Sequence, residues 1–274
     1  MKANKIESGS RPRGPALIAA LVVVLAVLVA ALLGFGKLRD IYLEQCVITD
    51  MAEQVSITSG KMVKEDVLAE NLGLRVGANL ALIDFSKKRE EVLQRIPTLR
   101  SVSVSRRLPN KIVVVAEERT PIAKMGLRGH RGLTGRVVDA EGVVFPCMRG
   151  TMLLPTIVEP MAPGTAIGHR LTGRAQAALR LIVTCREPQF LELGVQDVDV
   201  SRPDYLLATL GANYARVKIA WEGMDDDRAP HAAEDLSCRL TELLKAIRSG
   251  AAGQVRLWNA TLPHRIFADP ERTN

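Results

Sequence analysis

Residues 16–36 read ALIAALVVVLAVLVAALLGFG, twenty-one positions with no charged or polar side chain, and nothing else in the sequence constrains the chain so tightly. At about 1.5 Å of rise per residue this run makes a helix of roughly 30 Å, the thickness of a bilayer's hydrocarbon core. A single membrane-spanning helix is therefore expected over 16–36. Ahead of it stand Lys2, Lys5, Arg11 and Arg13 against the single Glu7, with Pro12 and Pro15 loosening the segment. Lys37 and Arg39 follow the run and are soon offset by Asp40 and Glu44. Counting Lys and Arg places a short basic tail (1–15) in the cytoplasm, a linker at 37–44, and everything after it outside. A cleaved signal peptide is the alternative, since Ala30 and Ala31 offer small residues near the end of the run, although the apolar core of such a leader is usually about 7–15 residues. A buried helix of a soluble protein is a third reading.

The remaining length, within 274 residues that are 47% hydrophobic and 24% charged, suits one or two modest domains. Five Phe, three Tyr and two Trp are too few to suggest a sugar cleft or a base-stacking surface. The formal net charge of +7 is spread along the chain rather than gathered into a tract, so no nucleic-acid partner is expected. Cys46, Cys147, Cys185 and Cys238 form no CxxC and no Cys/His cluster, which argues against structural zinc. Outside the cytoplasm they could pair in three complete ways. Cys185, inside LRLIVTC, reads as a small core residue.

The stretch 45–119 reads as a first module. CVITDMAEQVSIT is extended chain, and a helix near 62–71 puts Met62, Val63, Val67 and Leu68 close to one face. After a turn over 72–77, Asp84 or Ser86 can cap KKREEVLQRI, whose Val92, Leu93 and Ile96 form an apolar face that must end before Pro97. Strands over 99–105 and 111–116 flank a hairpin at 106–110, which gives the order βααββ.

A second module is expected over 120–268, followed by a tail at 269–274. A basic segment holding Arg128, His130, Arg131 and Arg136 leads to a hairpin, with Val137-Val138 and Val143-Val144-Phe145 flanking the turn Asp139-Ala140-Glu141-Gly142. A short strand at 152–158, a helix at 171–185 and a strand at 191–200 follow. Two further strands, 205–210 and 216–221, complete a meander. A helix over 235–247, with Leu236, Leu240, Leu243, Leu244 and Ile247 on one face, precedes a last strand at 254–259. The fold class is thus α+β: an N-terminal anchor, a βααββ domain, and a mostly antiparallel β domain with flanking helices.

The run from Gly77 to Met125 closely resembles the POTRA domain of the bacterial division proteins FtsQ and DivIB. Gly77, Asn79 and Leu80 stand in that family's Gly-x-Asn-Leu turn, and Asp84 in its following Asp. Ile96-Pro97 and Val102 match its Leu-Pro-Trp-Val region, with Thr98 where the Trp is usual. Arg106, Leu108, Pro109 and Asn110 match its hairpin, and Glu118, Arg119, Pro121 and Ala123 its exit. At the last strand, Arg256-Leu257-Trp258-Asn259 replaces the usual Asp-Leu-Arg-Tyr.

The resemblance implies a non-enzymatic inner-membrane scaffold at the division septum. It would link early and late division proteins and help control septal peptidoglycan synthesis. It further implies that FtsB-like and FtsL-like partners add a strand at the late edge, around Leu257, Trp258 and Asn259, and that FtsK-like proteins and a septal wall synthase are contacts. No cofactor or metal is implied.

On the residues alone, Trp258 reads equally as a core residue. Arg106, Arg107, Glu117, Glu118 and Arg119 read as a solvated rim, or else as a polar contact between modules or with a partner. His130, His169, His231 and His264 are isolated, and no HExxH, GxSxG or GxxxxGK[ST] occurs. Asp139 and Glu141 could be a carboxylate pair but read better as a solvated turn. An envelope assembly or secretion component and an anchored envelope enzyme are the alternative functions.

Overall fold

The computed structural model describes residues 14–107, 109–129, 134–160, 165–211, 215–226, 230–249, 255–262 and 265–268. The expected basic tail up to Arg13, the tail 269–274, and Leu108, His130, Arg131 and His264 lie outside these residues.

Helix α1 runs over Gly14–Gln45, a 32-residue rod about 48 Å long. Residues 21–35 are exposed throughout, so no described part of the protein covers the apolar run. The segment 37–44, expected as a linker, is helical: KLRDIYLE contains no Gly or Pro, and the same helix continues through it.

The first module packs α3 (Glu65–Leu72) and α4 (Phe85–Arg95) on a three-stranded sheet of β1 (Val55–Thr58), β2 (Leu99–Arg107) and β3 (Lys111–Glu118), with β3 in the centre. One-turn α2 (Met51–Gln54) interrupts what reads as extended chain, because Asp50 caps it and Gln54 folds its amide back onto the Thr49 and Asp50 backbone N–H groups. Asp84 caps α4 by accepting from Ser86 and Lys87, and the helix stops at Arg95, two residues before Pro97. Leu68, Leu72, Val92, Leu99, Ile112 and Val114 form the centre of this core.

The second module is one nine-stranded sheet, in the order β12-β11-β10-β9-β8-β7-β4-β5-β6. Its strands are β4 (Ala123–Leu127), β5 (Arg136–Val138), β6 (Val144–Pro146), β7 (Thr156–Glu159), β8 (Val195–Asp199), β9 (Leu206–Leu210), β10 (Arg216–Ile219), β11 (Leu257–Ala260) and β12 (Phe267–Ala268). Most neighbours are antiparallel, and β8-β9-β10 form the expected meander; β4-β7, β7-β8 and β10-β11 are parallel. Helices α5 (Gly173–Thr184) and α6 (Pro230–Arg248) cover one face, burying Leu179, Leu181, Ile182, Leu236, Leu240 and Leu243. On the other face Val137, Phe145 and Cys147 make a small separate cluster. The strand expected over 191–200 begins only at Val195, after a short 3-10 turn at Leu191–Leu193. All four cysteines are unpaired, and only Cys238 is exposed.

Candidate functional site

The residues singled out in the sequence fall into three groups along the molecule. The first holds the end of α1. Gly77 adopts φ +84° in a reversal whose N–H donates to the Ile48 carbonyl at 2.8 Å, a conformation that favours glycine. That reversal brings Asn79 under the helix, where its side-chain amide donates to the Leu43 carbonyl at 2.8 Å and its side-chain oxygen accepts from Ala81. The Leu80 N–H donates to the Cys46 carbonyl at 2.9 Å. Carbonyls left open at a helix C-terminus are thus met by the first module itself. Arg106 stacks its guanidinium over the Phe85 ring at 4.7 Å and donates to the Ile83 carbonyl. Pro109 lies in the hairpin beside Tyr42 and Cys46.

The second group joins the modules. Glu118 and Arg119 are neighbours with opposite duties. The Glu118 carboxylate turns inward and accepts three backbone N–H groups, from Lys61 at 2.9 Å, Met62 at 2.8 Å and Val63 at 2.7 Å, closing the loop that precedes α3. A Cβ at Gly60 would collide with this carboxylate, so Gly60 belongs to the same device, which the sequence reading missed. Arg119 reaches across the boundary. Its Nε donates to the Pro97 carbonyl at 3.1 Å and its Nη1 to Asp139 Oδ2 at 2.5 Å, while Asp139 Oδ1 accepts from the Val143 N–H at 2.8 Å.

Asp139 is 1% exposed, and Glu141 is paired with Arg100 at 2.7 Å. The turn is therefore neither solvated nor a carboxylate pair: its acids are the second module's half of the joint. Of the expected charged rim, Arg119 makes the contact between modules. Cys147 Sγ lies 3.7 Å from Met62 Sδ and Gly168 backs onto Pro97, adding apolar contact to the same joint. Pro121 sits between β3 and β4, where its missing N–H ends one ladder before the next begins at Ile122, which donates to Val138 at 2.7 Å.

The third group is the late strand. Trp258 is 4% exposed and lies in the main core with Ala260, so Leu257 and Asn259 face the opposite side of the sheet. Nor is β11 the edge: β10 pairs with one side through Val217↔Trp258, and β12 with the other through Asn259↔Phe267 and Trp258↔Ala268. The expected trio Leu257, Trp258 and Asn259 is thus one strand inside, and Trp258 is a core residue rather than an accessible anchor. Two residues of strand between the 263–264 and 269–274 segments give little periodicity to read, which is why β12 escaped notice.

The two ends of the large sheet differ. At β6 the chain closes the edge itself, as Val144 N–H donates to His169 and Gly168 N–H to Val144, ahead of Pro146. At β12 no described residue pairs with the outer side, and Phe267 is 47% exposed there. An open edge can accept a further strand.

Residues 51–119 match the family described as POTRA domain, FtsQ-type. The chain is also similar to the cell division protein DivIB of Clostridium acetobutylicum, 26% identical over 91 residues that cover 33% of this chain and 34% of that protein. The chain thus matches about a third of the length of this curated relative. The family match spans the strands and helices that carry the Asn79, Asp84, Glu118 and Arg119 contacts, so the first module is similar to an FtsQ-type POTRA domain.

Proposed function

We propose that the protein is a non-enzymatic, single-pass scaffold of the cell-division machinery, with its N-terminus in the cytoplasm and its two modules in the periplasm at the septum. In this reading it links early to late division proteins and helps control septal peptidoglycan synthesis. FtsB-like and FtsL-like proteins are its principal partners. FtsK-like proteins and a septal wall synthase are further contacts, and no nucleic acid is involved. One observation carries the reading: a large sheet closed by its own chain at β6 ends at β12, whose outer side is unpaired among the described residues and carries an exposed Phe267. Backbone groups along such an edge supply affinity for an added strand, and neighbouring side chains supply selectivity. The anchor supports it too, because a helix whose apolar side chains are exposed from Leu21 to Phe35 is suited to a lipid surround.

The test is conditional depletion with imaging, combined with capture of partners from the membrane fraction by wild type and by Phe267→Glu. Filaments without septa, recovery of FtsB- and FtsL-like proteins, and roughly tenfold weaker capture by the variant are expected. Normal septation on depletion rejects the division role. Undiminished capture by folded Phe267→Glu and Ala268→Pro variants rejects the β12 edge. Recovery of outer-membrane assembly factors instead would favour a secretion component.

A further inference from the structure

The rim of the first module that surrounds the end of α1 carries a composition that neither the strand-adding edge nor the joint between modules uses. The reversal at 75–83 is bonded to the last turn of the helix through Asn79 and Leu80. Tyr42, Cys46, Leu80, Ala81, Arg106, Pro109 and Lys111 together enclose a cavity of about 170 Å³, so the hairpin tip stands beside the same helix turn. On this rim Leu82 is 73% and Val76 64% exposed, although both are large aliphatic residues. Arg75, Arg106 and Arg107 are exposed beside them, as is Lys111, whose ammonium lies 3.8 Å from Glu53. Three further acids stand nearby: Asp84 is engaged in capping α4, Asp40 lies 3.7 Å from Arg39, and Glu44 is exposed in the last turn of α1.

The height of this rim above the bilayer follows from the helix. Seven residues separate Gly36, where the apolar run ends, from Leu43, about 10 Å of rise. A headgroup layer is roughly 5–7 Å thick on each side. Within that interval Leu38, Ile41 and Tyr42 remain exposed, extending the lipid-facing side of the helix to the level of the rim, with a tyrosine where interfacial aromatics gather. The rim thus stands about 3–5 Å beyond that layer, within side-chain reach of it, and apolar tips among cations, tied to the helix that crosses the membrane, match an anionic lipid surface in both polarity and charge.

We propose that the 75–83 reversal, with Arg107 and Lys111 of the neighbouring strands, seats on the outer leaflet of the bilayer that α1 crosses, with Leu82 and Val76 entering the interface and Arg75, Arg107 and Lys111 meeting anionic phospholipid headgroups. This rests on the membrane-anchor reading of α1. The seat holds the first module at a fixed attitude to the membrane.

The full chain, carrying Cys238→Ser to remove the exposed thiol, is placed in nanodiscs of phosphatidylcholine with or without phosphatidylglycerol. A polarity-sensitive fluorophore is attached at Leu82→Cys, at Leu28→Cys in the anchor, or at Leu153→Cys as a solvent control. Lipids carrying a nitroxide near the headgroup or deep in the acyl chain serve as quenchers. Shallow nitroxide should lower emission at position 82 by about half while leaving 153 unchanged, and position 28 should respond to deep nitroxide. Quenching at 82 should strengthen with phosphatidylglycerol and weaken with Arg75→Gln plus Arg107→Gln. Position 28 quenched and position 82 unquenched overturns the lipid seat but leaves the anchor, as it would if this rim met a protein instead. Position 28 unquenched overturns the anchor, and the seat with it.

Discussion

Replacing Arg119 with alanine removes the one guanidinium that links a buried acid of the second module to the backbone of the first. The Asp139 side chain is 2% exposed and that of Arg119 16%, so little water reaches the pair. Without Arg119, the Asp139 carboxylate keeps only the Val143 N–H, and the Pro97 carbonyl loses its donor. Removing one partner of a buried, hydrogen-bonded ion pair costs about 3–5 kcal/mol, because the remaining charge stays desolvated.

The neighbouring Arg100–Glu141 pair supplies an internal comparison. It also bridges the modules, but its side chains are 53% and 34% exposed, and deletion of such a pair costs about 0–1 kcal/mol. Urea unfolding of the full chain in lipid nanodiscs, followed by Trp221 and Trp258 fluorescence, reads the second module directly. Arg119→Ala should lower stability by about 3 kcal/mol or more and Arg100→Ala by less than about 1. A double-mutant cycle with Asp139→Asn, which retains an acceptor for Val143, should give a coupling of about 2 kcal/mol. Equal losses from the two arginine variants, or a coupling below about 0.5 kcal/mol, would refute the argument that burial makes this joint.

Glu118→Gln keeps the shape of the side chain but offers one neutral oxygen to the three N–H groups of 61–63, and should cost about 1–3 kcal/mol by thermal or urea unfolding. Thiol titration of the native protein at pH 8 should modify Cys238 rapidly and leave Cys185 unmodified, since burial pushes the Cys185 thiol up to about 12; a fast second thiol from position 185 would contradict its placement. Burial, with help from Asp199, raises the Asp197 carboxyl above its ordinary range, against the Thr209 hydrogen bond and Arg216, so the folded state favours the protonated form. Its contribution is present below the ordinary aspartate value and is lost as pH rises through the folded one, so Asp197→Asn should match wild type near pH 3 and gain on it towards pH 7; a constant difference across that range would count against the shift.

What could be read in advance was what local chemistry decides. The Asp84 cap, the stop before Pro97 and the burial of Val92 on α4 depend on residues within a turn or two, so spacing reveals them, whereas the face expected for α3 differs: the helix starts only at Glu65, Val67 is exposed, and Ala69 and Leu72 are buried with Leu68. The continuation of α1 to Gln45 leaves no mark in hydropathy, because charge ends only the lipid-buried part of a helix and leaves helix propensity intact. The strand β4, AKMGL, is short and contains a glycine, and its pairing with β5 and the distant β7 defines it. Arg119 and Asp139 each stand out in the sequence, yet their partnership spans twenty positions and a module boundary, which no periodicity reports. Trp258 posed a question of register, and β10 and β12 on either side of its strand answer it.

Two joints in series give these placements a common consequence. Asn79 and Leu80 fasten the end of α1 to the first module, and Arg119 with Asp139 fastens the first module to the second. Neither joint touches β12, which lies at the far end of the large sheet from β5 and β6, the strands beside the Asp139 turn. An edge can bind a strand whatever its orientation, so fixed joints add nothing to the affinity of the edge itself. On the function proposed above, what they would fix is where a bound partner is held relative to the membrane, since ordering completed during folding is not repeated at each encounter. The polar joints and the open edge would then serve different ends: the edge would set whether a partner is captured, and the joints the geometry in which it is presented.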